Sequence, residues 1–445
     1  MKKVITYGTF DMLHKGHINL LRRAKDLGDY LIVGVTSESY DRERGKLNVH
    51  DSLLERVESV RNTGLVDEII IEEYFGQKID DIQKYNIDIF AIGSDWTGKF
   101  NYLKEYCEVV YLPRTKGISS TQLRNDMQKM CNIGIVGCGR IANRFIPESK
   151  FVSGVNVSGV FNPHMDSAKS FADRHSLEFA SDNYSDFLSH IDAVYVASPH
   201  LSHYEYAKQA LENGKHVLCE KPMTLTPLST ADLYQTAKDN GLVLLEAIKT
   251  AYCPGFTHLI SLVKSGAIGT IKDVDATFTK LVDSDVRELS AVAGGGSMSE
   301  LASYVLLPII KTMGTDYKSI DFHPVCNESV DIFTRGLIAY PNGTASFKVG
   351  LGVKSEGQLI ISGTKGYAYV PAPWWKTDYF ELRFENISDT KKYFYRFEGD
   401  GLRYELERFV TMIDKKDTVT YQLSPQDSIE IATIINYFRE KMNAN

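Results

Sequence analysis

The chain has 445 residues, too many for one ordinary hydrophobic core, so two or three domains are expected. Its 43% hydrophobic and 24% charged residues fit a globular protein and leave little room for extended disorder. A formal net charge of -7 argues against broad binding to nucleic acid or an anionic membrane, which needs a surface excess of Lys and Arg. No apolar run approaches the ~20 residues that span a bilayer. Cys107, Cys131, Cys138, Cys219, Cys253 and Cys326 are scattered, without zinc-ligand spacing and without a secretory leader ahead of them. Free thiols in a reducing cytoplasm are the expectation.

Residues 4–7 form a short apolar run closed by Gly8, which reads as a buried strand opening into a loop. Leu13, Ile18, Leu20, Leu21 and Ala24 then recur at helical spacing, and a second apolar strand is predicted over 30–35. Helix 52–62, strand 68–71, helix 79–85 and strands 89–92 and 109–112 continue an alternation that specifies a parallel sheet. A second alternation starts with strand 133–136, placing a boundary with a very short linker near 127–131. Strands 155–161, 193–197, 216–219 and 243–246 alternate there with helices 167–175, 203–213 and 227–240. Beyond about residue 252 the pattern changes to long alternating strands at 270–281, 330–340, 344–351 and 358–362, expected in a mixed, largely antiparallel sheet with covering helices. The fold class is α/β: a Rossmann-like domain over 1–129, a Rossmann dinucleotide-binding domain over 130–250, and over 251–445 an α+β domain with a large mixed sheet for substrate binding and oligomerisation.

The run Gly8-Thr9-Phe10-Asp11-Met12-Leu13-His14-Lys15-Gly16-His17 sets two histidines three apart where a strand opens into a helix, so both imidazoles share one helical face. A helix N-terminus favours anions, and two imidazoles aimed there can donate hydrogen bonds to a phosphorus under attack. The bare spacing also suits a satisfied polar pair or a metal site. The run resembles the HxGH signature of nucleotidyltransferases. Arg114-Thr115-Lys116-Gly117-Ile118-Ser119-Ser120-Thr121 looks like that superfamily's phosphate-binding motif, and 93–100, with Asp95 and Trp96, resembles the nucleoside-binding stretch of glycerol-3-phosphate cytidylyltransferases. The resemblance covers about residues 1–127 and implies the roles of their side chains. His14 and His17 would stabilise the pentavalent transition state at the α-phosphorus of CTP. Thr9, Phe10, Asp11, Asp95, Ser119, Ser120 and Thr121 would bind the nucleotide. Lys46 and Arg114 would neutralise developing charge, and Arg56 would serve the triphosphate or the acceptor phosphate. Mg²⁺ would be held mainly by the nucleotide, with no dedicated protein metal site. Two departures mark the acceptor end: Gly64-Leu65 precedes Val66-Asp67 where glycerol-3-phosphate enzymes carry Arg, with Arg61 one turn earlier, and Ser94 replaces an acidic residue. A changed acceptor is expected, while Arg61 also fits a solvated helix face.

The run 133–142, Ile-Gly-Ile-Val-Gly137-Cys138-Gly139-Arg140-Ile141-Ala142, leads a strand through GxGxxA into a helix, the context of a dinucleotide fingerprint. Ala197-Ser198-Pro199, His203 and Glu220-Lys221-Pro222 follow, and the series resembles the glucose-fructose oxidoreductase and inositol dehydrogenase family (Gfo/Idh/MocA) over about 131–445. The resemblance implies that Gly137, Gly139, Arg140, Ile141, Asn162, Ser198, His203, Glu220 and Lys221 contact NADP or NAD, and that Lys221 reaches both the nicotinamide and the substrate oxygen. The stretch 294–304 looks like the family's GGGxxxDxGxH segment, with Glu300 for Asp, Ala302 for Gly and Tyr304 at the proton-donor position, its phenol to be lowered by Lys221 or the cofactor. Asn162 ends the second Rossmann strand, so no acid meets a ribose 2′-hydroxyl and no Arg immediately marks a 2′-phosphate, which permits NADP. Trp374 and Trp375 beside Lys376 are expected to pack against the sheet, with a covering role over cofactor or substrate as the other possibility.

Two catalytic domains joined by almost no linker imply consecutive steps. A ketose or aldose phosphate would be reduced to an alditol phosphate, which CTP would convert to a CDP-alditol for capsule or teichoic-acid-like polymers. Two alternatives stand beside this reading: a C-terminal unit that is a degenerate binding or oligomerisation module, motivated by Glu300 and Ala302, and an oxidoreductase acting on a CDP-linked sugar. Partners are small molecules and, as expected, a second copy of the chain in a homo-oligomer.

Overall fold

The computed structural model describes residues 1–46, 49, 51–113, 130–283, 286–327 and 330–444. Strands β1 (Lys3–Gly8), β2 (Tyr30–Thr36), β3 (Glu68–Glu72), β4 (Ile89–Gly93) and β5 (Glu108–Leu112) form a sheet in the order β3-β2-β1-β4-β5. All its pairs are parallel. The order reverses between β1 and β4, and in open parallel sheets such a switch leaves a crevice at the strand C-termini. Helices α1 (Lys15–Lys25), α2 (Glu38–Glu43), α3 (Leu53–Asn62) and α4 (Gln77–Tyr85) connect the strands. Successive β1 side chains face opposite ways. Val4 packs with Leu21, Ala24, Val33 and Val60, whereas Ile5 and Tyr7 pack with Ile32, Ile82 and Phe90. Burial on both faces is why this strand reads as an unbroken apolar run.

The second sheet uses β6 (Cys131–Val136), β7 (Val155–Phe161), β8 (Phe179–Ser181), β9 (Ala193–Val196), β10 (His216–Glu220) and β11 (Leu244–Ala247), in the order β11-β10-β9-β6-β7-β8. Its switch point lies between β6 and β9, directly above the glycine fingerprint. Helices α5 (Arg140–Ser149), α6 (Met165–His175), α7 (Tyr184–Ser189), α8 (His203–Glu212) and α9 (Pro227–Asp239) accompany it.

After α10 (Pro254–Lys264), eight strands form the third sheet: β12 (Ile271–Thr279), β13 (Ser319–Asn327), β14 (Val330–Tyr340), β15 (Gly343–Gly350), β16 (Leu359–Gly363), β17 (Gly366–Val370), β18 (Tyr379–Phe384) and β19 (Lys391–Phe394). Only β12 and β15 run parallel; the other pairs are antiparallel. Helix α11 (Ser297–Met313) crosses this sheet, buried from Ser297 to Ile310, and α12 (Leu402–Lys415) and α13 (Pro425–Ala444) complete the chain. Sequence periodicity does not flag α11 as a helix, because an element buried on every side has no polar face to set a period. At its start Gly296 has φ 117°, and a Cβ there would lie 2.3 Å from Asp331 Oδ1. The chain forms two compact units, Met1–Cys131 with Lys150–Asn156 and Asn132–Ser149 with Val157–Asn445, so the second and third sheets share a unit. Among the described residues no helix is long and apolar enough to cross a membrane, and all six cysteines are free.

Candidate active sites

His14 caps α1. Its Nδ1 accepts from the Gly16 N–H at 3.0 Å, and its own backbone N–H points at Nδ1 of His17 at 3.5 Å. The two rings stack with centroids 3.9 Å apart. With both Nδ1 atoms acting as acceptors, Nε2 is the position left to carry a proton on each ring. His17 is hemmed in although part of its edge stays open. Burial first, then the charges of His14 and Lys46, hold its pKa well below the ordinary value. Phe10 meets the His17 ring edge-on at 5.5 Å and is itself buried, so its side chain braces the histidine rather than lining a nucleotide pocket. Phe10 and Met12 adopt φ of 52° and 47°, a conformation that costs bulky residues energy and is characteristic of functional loops. Asp11 and Asp51 lock this loop reciprocally: Asp11 Oδ1 accepts from the Asp51 N–H at 2.8 Å and Asp51 Oδ2 from the Met12 N–H at 2.9 Å.

Beneath the loop lies a polar cluster that sequence reasoning missed. Asp41, buried within α2, accepts from Thr9 Oγ1 at 3.1 Å, Thr36 Oγ1 at 2.8 Å, Arg44 Nη2 at 2.8 Å and Arg56 Nη1 at 3.2 Å. Thr9 Oγ1 also accepts from Arg44 at 2.7 Å, so its hydroxyl is occupied by the protein itself. Arg56 corrects an expectation. It is fully buried and donates to the carbonyl oxygens of Thr9, Thr36 and Asp51 at 2.9, 2.9 and 3.1 Å, tying three loops together instead of reaching out to a triphosphate. Lys46 is half-buried near His17, and Asp95 is exposed on a short turn after β4. Arg61 is 60% exposed and pairs with Glu58 on its own helix, as a solvated face would. Arg114, Ser119, Ser120 and Thr121 lie outside the described residues.

At the second site Gly137 has φ 101°, and a Cβ there would lie 2.8 Å from the Ala197 carbonyl oxygen. A Cβ on Gly139 would meet nothing within 4 Å, leaving open space over the start of α5 where a pyrophosphate would approach. The loop therefore fits a dinucleotide. Ala142 is buried, Arg140 reaches across to Glu288 at 2.6 Å, and Ile141 follows in the first turn. Asn162 Oδ1 accepts from the His164 N–H at 2.9 Å, closing the turn after β7. Ser198 Oγ accepts from Ser202, and the buried His203 places its two ring nitrogens 2.8 and 3.0 Å from the carbonyl oxygens of Ser198 and Pro222. A neutral ring can donate to only one of them at a time, and burial pushes the His203 pKa down to about 4.

Lys221 is 14% exposed at the end of β10. Its Nζ donates to the Glu300 carbonyl oxygen at 2.9 Å and stands 3.8 Å from the Glu300 carboxylate. Glu300, the departure from the family pattern, also meets Arg287 at 3.3 Å and lies 3.7 Å from His200. Sequence reasoning flagged neither partner, since they come from separate turns. The Glu220 carboxylate accepts from the Tyr195 hydroxyl at 2.5 Å and the Lys221 N–H at 3.2 Å, so it fixes the lysine's backbone. Tyr304 packs with its ring 5.7 Å from Lys221 Nζ. Its phenol corrects the expected shift: burial first, then the carboxyls of Glu220 and Glu405, push it well above its ordinary value. Trp374 is buried and Trp375 stacks on Phe278 at 3.7 Å, with Phe278 in turn against Tyr304, so the tryptophans do pack against the sheet.

Comparison with known proteins assigns a family to each of the two enzyme-like regions. The cytidylyltransferase-like family model matches residues 5–126, and the oxidoreductase family model with an NAD-binding Rossmann fold (Gfo/Idh/MocA) matches 131–247. The glycerol-3-phosphate cytidylyltransferase of Bacillus spizizenii is 55% identical over 130 residues, which are 29% of this chain and all of that protein. The chain belongs to the cytidylyltransferase-like family and carries a Gfo/Idh/MocA oxidoreductase domain. For that domain, the scyllo-inositol 2-dehydrogenase (NADP(+)) IolU of Bacillus subtilis is 26% identical over 336 residues, covering 70% of this chain and 97% of its own. Among solved structures, a 3-ketoreductase of Actinomadura kijaniata in complex with NADP and TDP-benzene superposes with a TM-score of 0.62 at 22% identity, over 70% of this chain and 97% of its own. At that identity the likeness shows the fold. In the cytidylyltransferase domain the stacked His14–His17 pair is the HxGH element, and in the oxidoreductase domain Lys221 is the lysine of Glu-Lys-Pro.

Proposed function

We propose that this chain makes a CDP-alditol in two steps, reducing a ketose or aldose phosphate with NAD(P)H and then joining the alditol phosphate to CMP from CTP with release of pyrophosphate. The observation that carries the reading is the coexistence, in one chain, of two assembled donor sets: the paired Nε2 positions of His14 and His17, and the half-buried Lys221 ammonium beside Tyr304. At the first site the histidine N–H groups stabilise charge on the α-phosphate, Lys46 adds positive charge, and Asp11 keeps the loop in register. Mg²⁺ enters with the triphosphate. Arg114, Ser119, Ser120 and Thr121 complete the nucleotide site.

At the second site the cofactor supplies a hydride. Lys221 polarises the carbonyl oxygen as negative charge develops there, and Tyr304 beside it is the proton donor in this reading, its raised pKa keeping the phenol protonated until the alkoxide forms. NADP is preferred, because Asn162 offers no carboxylate to a ribose 2′-hydroxyl. Division into the domains 1–129, 130–250 and 251–445, the last also forming a homo-oligomer, belongs to this proposal. So does a place in the synthesis of capsule or teichoic-acid-like polymers. The deciding experiment supplies the intact chain with CTP, NADPH and a panel of ketose phosphates, and measures NADPH oxidation, pyrophosphate and the nucleotide product. Pentulose and hexulose phosphates rank above dihydroxyacetone phosphate, because Gly64 and Ser94 remodel the acceptor end. A nucleotide product that appears without NADPH oxidation would reduce the second domain to a binding module.

A second reading is favoured by one observation. The Actinomadura 3-ketoreductase is in complex with a TDP-linked ligand. If NADPH is consumed only once a CDP-sugar is supplied, the order of the two steps is reversed.

A further inference from the structure

Strand β12 brings to the second site a lysine that the proposed chemistry does not use. Lys280 follows the last residue of β12, and its N–H still donates to the Gly350 carbonyl oxygen at 2.8 Å, so the extended backbone runs on through it. Side chains two apart along a strand share a face. Lys280 therefore lies on the face that carries Phe278, whose ring meets Tyr304 edge-on at 5.0 Å. The arginines nearby each have an acid of their own: Arg140 holds Glu288 at 2.6 Å, Arg287 holds Glu300 at 3.3 Å, and Arg144 stands 3.7 Å from Asp400. Lys280 is exposed, and among the described residues its ammonium has neither a hydrogen bond nor an ion pair. Desolvation first, then Arg140 and Arg144, hold its pKa below the ordinary lysine value against the pull of Glu288 and Glu300. Glu300 is also the carboxylate 3.8 Å from Lys221 Nζ, so Lys280 and Lys221 act on the same acid. A sugar phosphate holds a carbonyl and a phosphate a few bonds apart, and two cations at one site suit the two groups.

We infer that Lys280 binds the phosphate of a phosphorylated sugar at the second site and thereby selects sugar phosphate esters over plain sugars. The inference deepens the reductase reaction proposed above and rests on it. An ammonium binds phosphate as a point charge, and its attraction to a group remote from the reacting carbon supplies binding energy that the plain sugar lacks. Glu288 and Glu300 repel a phosphate, but each is matched by an arginine, so the charge left over belongs to Lys280. The phosphate has two sources, the monoester of a ketose or aldose phosphate and the diphosphate of a nucleotide-linked sugar, and both present the same oxygens to the ammonium.

The test is NADPH oxidation by the full-length protein with a pentulose, the matching pentulose phosphate and a CDP-linked sugar. The parent should favour the pentulose phosphate over the pentulose by roughly 10- to 100-fold in kcat/KM, the range of a charge-assisted bond. Lys280→Met should remove most of that preference by raising KM for the phosphate, with the loss absent for the plain pentulose and for NADPH, and Lys280→Arg should restore part of it. Both variants should melt with the parent, because the ammonium holds no other side chain in place. An equal loss with both sugars, or a raised KM for NADPH, would overturn the inference, since Lys280 would then serve the fold or the cofactor. A preference that survives Lys280→Met, or a parent with no preference, would overturn it too. If only the CDP-linked sugar is consumed and Lys280→Met raises its KM, the phosphate contact stands and the order of the two steps is reversed. A parent inactive on all three sugars defeats the reductase reading itself.

Discussion

Replacing Lys221 by Met keeps the length of the side chain and removes its charge, which separates electrostatic catalysis from packing. Among the described residues the ammonium makes one hydrogen bond, to the Glu300 carbonyl oxygen at 2.9 Å, and sits 3.8 Å from the Glu300 carboxylate. Losing that hydrogen bond costs about 1 kcal/mol. The Glu300 carboxylate is not stranded, because Arg287 remains 3.3 Å away. Stability should therefore fall by only a few degrees in Tm, roughly 1–4 °C. Turnover should fall far more, since a preorganised donor at a developing oxyanion is worth about 2.7–4 kcal/mol, or roughly 10²–10³ in rate. NADPH oxidation with a ketose phosphate at saturating cofactor reads the loss, and pyrophosphate release from CTP and the preformed alditol phosphate, measured on the same sample, should not change. A variant whose ketose-phosphate turnover stays within a few fold of the parent would refute the assignment of Lys221 as the polarising group.

His14→Ala or His17→Ala should lower cytidylylation by a factor of roughly 10² or more while largely sparing CTP binding, and should let alditol phosphate accumulate in the coupled assay. Because His17 is held neutral well below its ordinary pKa of 6.5, a pH–rate profile of cytidylylation should show no loss centred there; an inflection near that value that disappears on substituting His17 would contradict the geometry. Arg56→Met breaks the buried Arg56–Asp41 ion pair and leaves the carbonyl oxygens of Thr9, Thr36 and Asp51 without this donor, and should destabilise the protein by about 3–5 kcal/mol in thermal or urea unfolding, whereas Arg61→Ala should be nearly silent in stability and in acceptor KM. Burial raises the Asp331 carboxyl from 3.8 to about 7, so the folded state retains a proton that the unfolded chain releases. That contribution is complete below the ordinary carboxylate range and is lost as pH rises toward about 7, at most ~4 kcal/mol in all, and Asp331→Asn should flatten this part of the stability–pH curve.

The sequence by itself determined the alternation of strands and helices in the first two sheets, because strands buried on both faces must be apolar throughout and the helices between them must carry a periodic stripe. Strand 155–161 and strand 330–340 have the bounds their patterns predict. It also determined the two chemistries, since the HxGH run, the glycine fingerprint and Glu-Lys-Pro each concentrate their chemistry within a few consecutive residues. Tertiary structure alone decided what depends on residues distant in the chain. Arg56 became a buried strut because Asp41, Thr9 and Thr36 converge on it from separate loops, and no local pattern distinguishes such an arginine from one that grips a phosphate. The Tyr304 phenol moved up instead of down because it is buried and the carboxyls of Glu220 on β10 and Glu405 on α12 act on it. Glu300 found Arg287 and His200, and Arg174 met Asn143 of α5 from the far end of its own helix. Each of these is a long-range electrostatic fact, set by burial and by distances through space that spacing along the chain does not encode.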